Sequence, residues 1–164
     1  MWSGCYDAGL ERFDLQTKMA RAVEPWPEAG YGVAPKDLKY RFQWTFPIHI
    51  SPHDNNTVYV GSQYVHRTTN GGQSWSLISP DLSTNDSTKQ QSSGGFVIDN
   101  LFVENVTLLF AIAESPLEKG VIWAGTMDGL LHITRDGGKT WSNLTANLPG
   151  LPKWSTISGI EPSK

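Results

Sequence analysis

The chain has 164 residues, a formal net charge of −3, and only 18% charged residues. That length argues for a single domain, and the mildly acidic balance gives no basis for a nucleic-acid partner. The lone cysteine, Cys5, excludes an internal disulfide, and no run of 18 apolar residues marks a membrane span.

Sixteen glycines, ten prolines and seven tryptophans predict many turns around large buried rings, as in an all-β chain of short strands. The N-terminus lacks the basic-then-apolar order of a signal peptide, which leaves the compartment open. Asn-x-Ser/Thr triplets begin at Asn55, Asn85, Asn105 and Asn143, a pattern too common by chance to carry weight.

In chain order, residues 1–25 read as a degenerate copy of something better written later. Trp2-Ser3-Gly4-Cys5-Tyr6-Asp7 parallels Trp123-Ala124-Gly125-Thr126-Met127-Asp128. Phe13 to Thr17 reads as its hairpin and Met19 to Val23 as its last strand. Residues 24–39, rich in Pro, Gly and charge, read as a connection with a short helical turn at Pro35 to Leu38. Strands are then predicted at Phe42–Ile50, Thr57–Gly61, Tyr64–Arg67 and Trp75–Ile78. Polar, low-complexity residues 83–95 predict a mobile loop. A second meander follows, with strands at Leu108–Glu114, Val121–Gly125, Leu130–Thr134 and Trp141–Leu144. The tail, Ser155 to Pro162, resembles one more first strand, with Ile160-Glu161-Pro162 matching Ile50-Ser51-Pro52.

Two octapeptides organise these meanders: Thr68-Thr69-Asn70-Gly71-Gly72-Gln73-Ser74-Trp75 and Thr134-Arg135-Asp136-Gly137-Gly138-Lys139-Thr140-Trp141. The Asn or Asp side chain accepts backbone N–H groups and closes a turn. The glycines permit positive φ. The Ser or Thr hydroxyl bonds back across the turn, and the Trp plugs the hairpin into an apolar layer. Thr68, Asn70, Gly72, Ser74, Trp75, Thr134, Asp136, Gly138, Thr140 and Trp141 are therefore assigned structural work.

These octapeptides resemble Asp-boxes, or BNR repeats, found in β-propellers such as sialidases, xyloglucanases and sortilin-type receptor domains. With Tyr40 to Pro52 and Ala111 to Pro116, nearly the whole chain resembles part of the bacterial sortilin-like BNR-repeat proteins. The resemblance implies propeller blades: about three four-stranded antiparallel meanders, one split between the N- and C-termini. The divisions are residues 1–39 (partial blade and connection), 40–82 (blade), 83–107 (polar loop), 108–150 (blade) and 151–164 (a first strand completing a blade). Rings of about four to eight blades are usual, so three predict homo-oligomers, with a dimer closing six blades as the simplest case.

In such a ring, ligands lie where loops enter the first strands and join the second to the third. Those loops carry Tyr40, Arg41, Gln43, Trp44, Gln63, Tyr64, Asp99, Asn100, Met127 and Asp128, with Tyr6 and Asp7 in the degenerate copy. Tyr40, Arg41, Gln43, Trp44, Tyr64, Asp99 and Asp128 are the candidate contacts for a polar ligand, with rings stacking and polar groups orienting. The opposing reading puts Trp44 and Phe46 in the core and pairs Arg41 with an acid. A non-catalytic binding module for a protein, peptide or glycan is the expected function. The alternative is a sialidase- or xyloglucanase-like glycoside hydrolase acting as an oligomer, using two of Asp7, Asp99 and Asp128. No catalytic residue is assigned. His49, His53, His66 and His132 lack a metal-ligand spacing and no phosphate loop opens a helix, so neither metal nor cofactor is expected.

Overall fold

The computed structural model describes residues 1–5, 8–94, 100–101 and 103–163. Three antiparallel sheets follow one another along the chain. The first comprises β1 (Trp2–Gly4), β2 (Leu10–Phe13) and β3 (Ala20–Ala22). The second is a meander of β4 (Ile48–Ile50), β5 (Val58–Gly61), β6 (Val65–Thr68) and β7 (Ser76–Leu77). The third repeats it with β8 (Leu109–Glu114), β9 (Ile122–Thr126), β10 (Leu131–Thr134) and β11 (Ser142–Asn143). The expected strand from Phe42 shrinks to Ile48–Ile50, because residues 40–47 fold as an entry loop instead.

The sheets stack face to face in chain order. Successive side chains of a strand point to opposite faces, and the middle sheet is covered on both. Val58 and Val60 join Leu10, Val23, Phe42 and Phe46 in one core. Tyr59, Val65 and Ile78 join Leu109, Ile112, Ile122 and Ala124 in the other. Val58, Tyr59 and Val60 are thus all buried. The four-stranded sheets end in strands of only two residues, a blunt outer edge that discourages further pairing.

Each joint between sheets is held by one octapeptide. The Trp75 indole N–H donates to the Val23 carbonyl at 2.9 Å, reaching from the second sheet back to the first. The Trp141 indole does the same to the Ile78 carbonyl at 2.8 Å, from the third sheet to the second. Within each turn the threonine hydroxyl accepts the second glycine's N–H, at 2.9 Å in both Gly72 and Gly138. Asn70 Oδ1 accepts Ser74 N–H at 3.0 Å, and Asp136 Oδ1 accepts Thr140 N–H at 2.9 Å. Gly138, at φ +98°, lies so close to the Ile78 carbonyl that no Cβ would fit.

Residues 83–94 depart from the expected mobile loop. Asp86 caps a 3-10 turn at Ser87–Lys89. Gln90, 3% exposed, donates from Nε2 to Asn85 Oδ1 and Thr107 Oγ1. A polar sequence here finds polar partners inside the fold rather than water.

The tail lies at the opposite end of the stack from the first sheet. Ile157 N–H donates to the Thr126 carbonyl at 3.1 Å and Ile157 packs on Gly125, on the face of β9 turned away from the second sheet. Among the described residues the first sheet has three strands. Within one chain the two parts of the expected split unit therefore do not meet.

Candidate functional site

The entry loop of the second sheet, its β5–β6 turn, and the β9–β10 turn gather at one end of the sheets. Gln63 builds this end from beneath: its Oε1 accepts Arg41 N–H at 2.8 Å, and its Nε2 donates to the Lys39 carbonyl at 3.0 Å. Gln43 spans toward the third sheet, with Nε2 3.8 Å from Met127 Sδ, and its Oε1 accepts from Thr45. The three loops form one surface of common construction.

Arg41 does not face that surface. It is 5% exposed, paired with Asp81 at 3.1 Å. It also donates from Nε and Nη2 to the Thr107 carbonyl at 3.2 and 3.1 Å. The reason is geometric. Thr107 sits at φ +56°, unusual for a β-branched residue, and the guanidinium fork fastens its carbonyl. As a ligand contact Arg41 is corrected to a clamp between the second sheet and the approach to the third.

Asp128 is likewise removed from the surface. It is 4% exposed, and its Oδ2 accepts Thr84 N–H at 2.7 Å. Its charge opposes the burial that lowers the His132 pKa, while the Leu82 backbone bonds the ring. Asp99, like Tyr6 and Asp7, falls outside the described residues.

The rings divide differently. Trp44 is 49% exposed, so the alternative that placed it in the core is corrected, while Phe46, at 7%, does belong there. Tyr40 and Tyr64 are half-buried and meet edge to face, with centroids 5.9 Å apart. Tyr40 also stands edge-on to Trp26 and to His66, and the Lys39 ammonium lies 3.5 Å over the Trp26 ring. Beneath them His66 shares a 2.7 Å hydrogen bond with Ser62 Oγ, and burial pushes its pKa down to about 4. Both residues are at most 3% exposed, so this Ser–His contact is sealed from any substrate.

Sequence reasoning missed Asp81, Gln90, Asn105 and Thr107, on which the loop surface rests. Asn105 Nδ2 donates to the Phe42 carbonyl at 2.7 Å. Asp81-Leu82-Ser83 reads as an ordinary turn, and no local signal distinguishes these positions. Among the described residues, no three His, Cys, Asp or Glu side chains converge as metal ligands. No described helix is long and apolar enough to cross a membrane.

No family model and no curated protein matches this chain. Solved structures do. A GH74 enzyme of Niastella koreensis aligns over 86% of the chain with a TM-score of 0.52 at 13% identity. A GH74 xyloglucanase from Xanthomonas campestris aligns over 91% with a TM-score of 0.53 at 17% identity. GH74 enzymes have β-propeller domains, and the stacked meanders match part of one.

The chain is built of β-propeller blades.

It spans 19% and 20% of those two chains, so the likeness is one of fold, not of whole proteins. Its inner strands are β4 and β8, which touch where His49 Nε2 accepts Glu114 N–H at 3.0 Å. The tail runs next to them: Ile160, Glu161 and Pro162 line one groove with Ile50, Pro52 and Glu114. The loop surface described above is the rim at one end of these inner strands.

Proposed function

We propose that this chain is an Asp-box (BNR-repeat) propeller segment that binds a glycan on its loop rim without hydrolysing it. One observation carries the reading. Arg41 is paired internally with Asp81 and Asp128 is buried with one oxygen bonded to Thr84 N–H, while Trp44, next to Gln43 in the entry loop, stays half exposed. Such a surface can stack on sugar faces and orient hydroxyls through amides, and it lacks a free pair of carboxylates among the described residues. One structural neighbour is a xyloglucanase, which suggests a xyloglucan-type polysaccharide as the ligand class.

Titration with xyloglucan oligosaccharides, followed by calorimetry, tests this. Saturable binding that is lost in Trp44→Ala, with an unchanged melting temperature, is the expected result. Release of reducing ends by the wild-type chain, abolished in Asp99→Asn or Asp128→Asn, would overturn it in favour of a glycoside hydrolase. No binding to any glycan tested would move the ligand class to a peptide or protein.

A further inference from the structure

At the end of the sheets opposite the loop rim, a hairpin joins the last two strands of each sheet. The residues that face each other there differ. Arg67 on β6 stands opposite Ser76 on β7, and Ile133 on β10 stands opposite Ser142 on β11. At the same place in the first sheet, Arg12 on β2 stands opposite Arg21 on β3. Directly opposed residues of an antiparallel pair share one face with Cβ atoms about 5 Å apart, and like charges so placed repel each other. Neither guanidinium has a described carboxylate within ion-pair distance.

The neighbouring joint shows what is missing. Arg67 Nη1 donates to the Gly137 carbonyl at 3.4 Å, and the charges of Arg67 and Glu114 both act on the Tyr59 hydroxyl. The bond from Ser51 N–H to the Thr57 carbonyl recurs as Ser115 N–H to the Val121 carbonyl, so Ile50 holds the place of Glu114. Arg12 and Ile50 line one depression. An apolar residue thus stands beside Arg12 where an acid stands near Arg67. Arg12 is nevertheless held in place, because its guanidinium lies so close to Gly71 that no Cβ would fit there. Arg12 and Arg21 also line an open groove of about 300 Å³ with Asp14, Thr17 and Met19. Asp14 spends its Oδ1 on the Gln16 and Thr17 N–H groups that close the turn. The groove therefore keeps two cations against one acid already engaged, in a chain whose net charge is −3.

We propose that this groove is an anion site, in which Arg12 and Arg21 grip one oxyanion group: a sulfate, a phosphate or a carboxylate. A guanidinium is a planar fork whose N–H groups match two oxygens of such a group at once. Two forks on one face present donors from two sides, and the bound charge relieves the repulsion between them. The site lies away from the rim and does not rest on the glycan reading.

Calorimetric titration of the full chain with sodium sulfate, sodium phosphate and sodium glucuronate, against sodium chloride at matched ionic strength, tests this. Saturable binding of at least one oxyanion with chloride inert is the expected result, and the tightest of the three identifies the group. Arg21→Ser, which copies Ser76, should weaken that binding about tenfold. It should also raise the melting temperature at low salt, because the repulsion is gone. Arg21→Glu supplies the missing acid within the chain and should abolish oxyanion binding. Heats that match chloride for all three salts, or binding that survives Arg21→Glu, would overturn the proposal. A melting temperature that falls at low salt in both variants would do the same. Binding of xyloglucan oligosaccharides should be unchanged in Arg21→Glu, so this inference and the proposed function fail separately.

Discussion

The hairpin at residues 68–75 and the one at 13–20 have the same length and opposite consequences. In the second blade, Thr68 and Asn70 satisfy the turn's N–H groups, two glycines take positive φ, and Trp75 reaches into the neighbouring blade. In the first, Phe13 and Leu15 stand at the places of Thr68 and Asn70, and a carboxylate between them closes the turn instead: Asp14 Oδ1 accepts Gln16 and Thr17 N–H. Lys18 takes positive φ without a glycine, and Ala20 replaces the ring. The contrast separates two functions that the octapeptide combines. A carboxylate is enough to close the turn. Only the tryptophan ties one blade to another.

The largest test of that separation is Trp141→Ala. It removes a half-buried ring and leaves the Ile78 carbonyl without its donor, so unfolding free energy should fall by about 3 kcal/mol in denaturant titrations. Trp141→Phe, which keeps most of the ring, should lose about 1 kcal/mol. If the two variants are equally stable, the indole bond contributes nothing and the contrast breaks.

Gly138→Ala should come next, at about 2 kcal/mol, since the position combines positive φ with contact against Ile78. The same change at Gly137 meets no neighbour within 4 Å and should lose only the backbone contribution, about 1 kcal/mol. Comparable losses at both would show that φ, not the close approach to the previous blade, sets the requirement.

Acid probes the buried histidines beneath the rim. Burial holds the folded-state His66 pKa at about 4, below its ordinary 6.5. Protonation therefore favours the unfolded chain: stability is complete above about pH 6.5 and is lost as the pH falls toward 4. The loss approaches about 3 kcal/mol. Burial lowers His49 and His132 in the same direction. His66→Gln should flatten the decline in melting temperature between pH 6.5 and 4. An unchanged profile would remove His66 as its cause.

The smallest effect distinguishes the two intact boxes. Asn70 Nδ2 donates to Ser74 Oγ, whereas Thr140 Oγ1 donates to Asp136 Oδ2; the Thr140 backbone N–H and that hydroxyl together hold the Asp136 carboxyl well below its ordinary pKa. Asn70→Asp reverses the donor and creates charge-assisted bonds, so stability should rise slightly at pH 7 and the gain should shrink as the pH falls below the ordinary carboxylate range. A gain that persists in acid would rule out the carboxylate as its source.

The octapeptides, the alternating meanders and their order were legible in the sequence because turn chemistry is local. Thr68, Asn70 and Gly72 act on one another within five residues, and no distant partner can change what they do. The rim was not. Arg41 meets Thr107 across 66 residues and Asp128 meets Thr84 across 44. Whether such a side chain binds a ligand or clamps a loop depends on which backbone groups the fold leaves unsatisfied nearby. Tertiary packing alone decided that Arg41 and Asp128 are buried and Trp44 is exposed, because burial is a property of the neighbours and not of the residue.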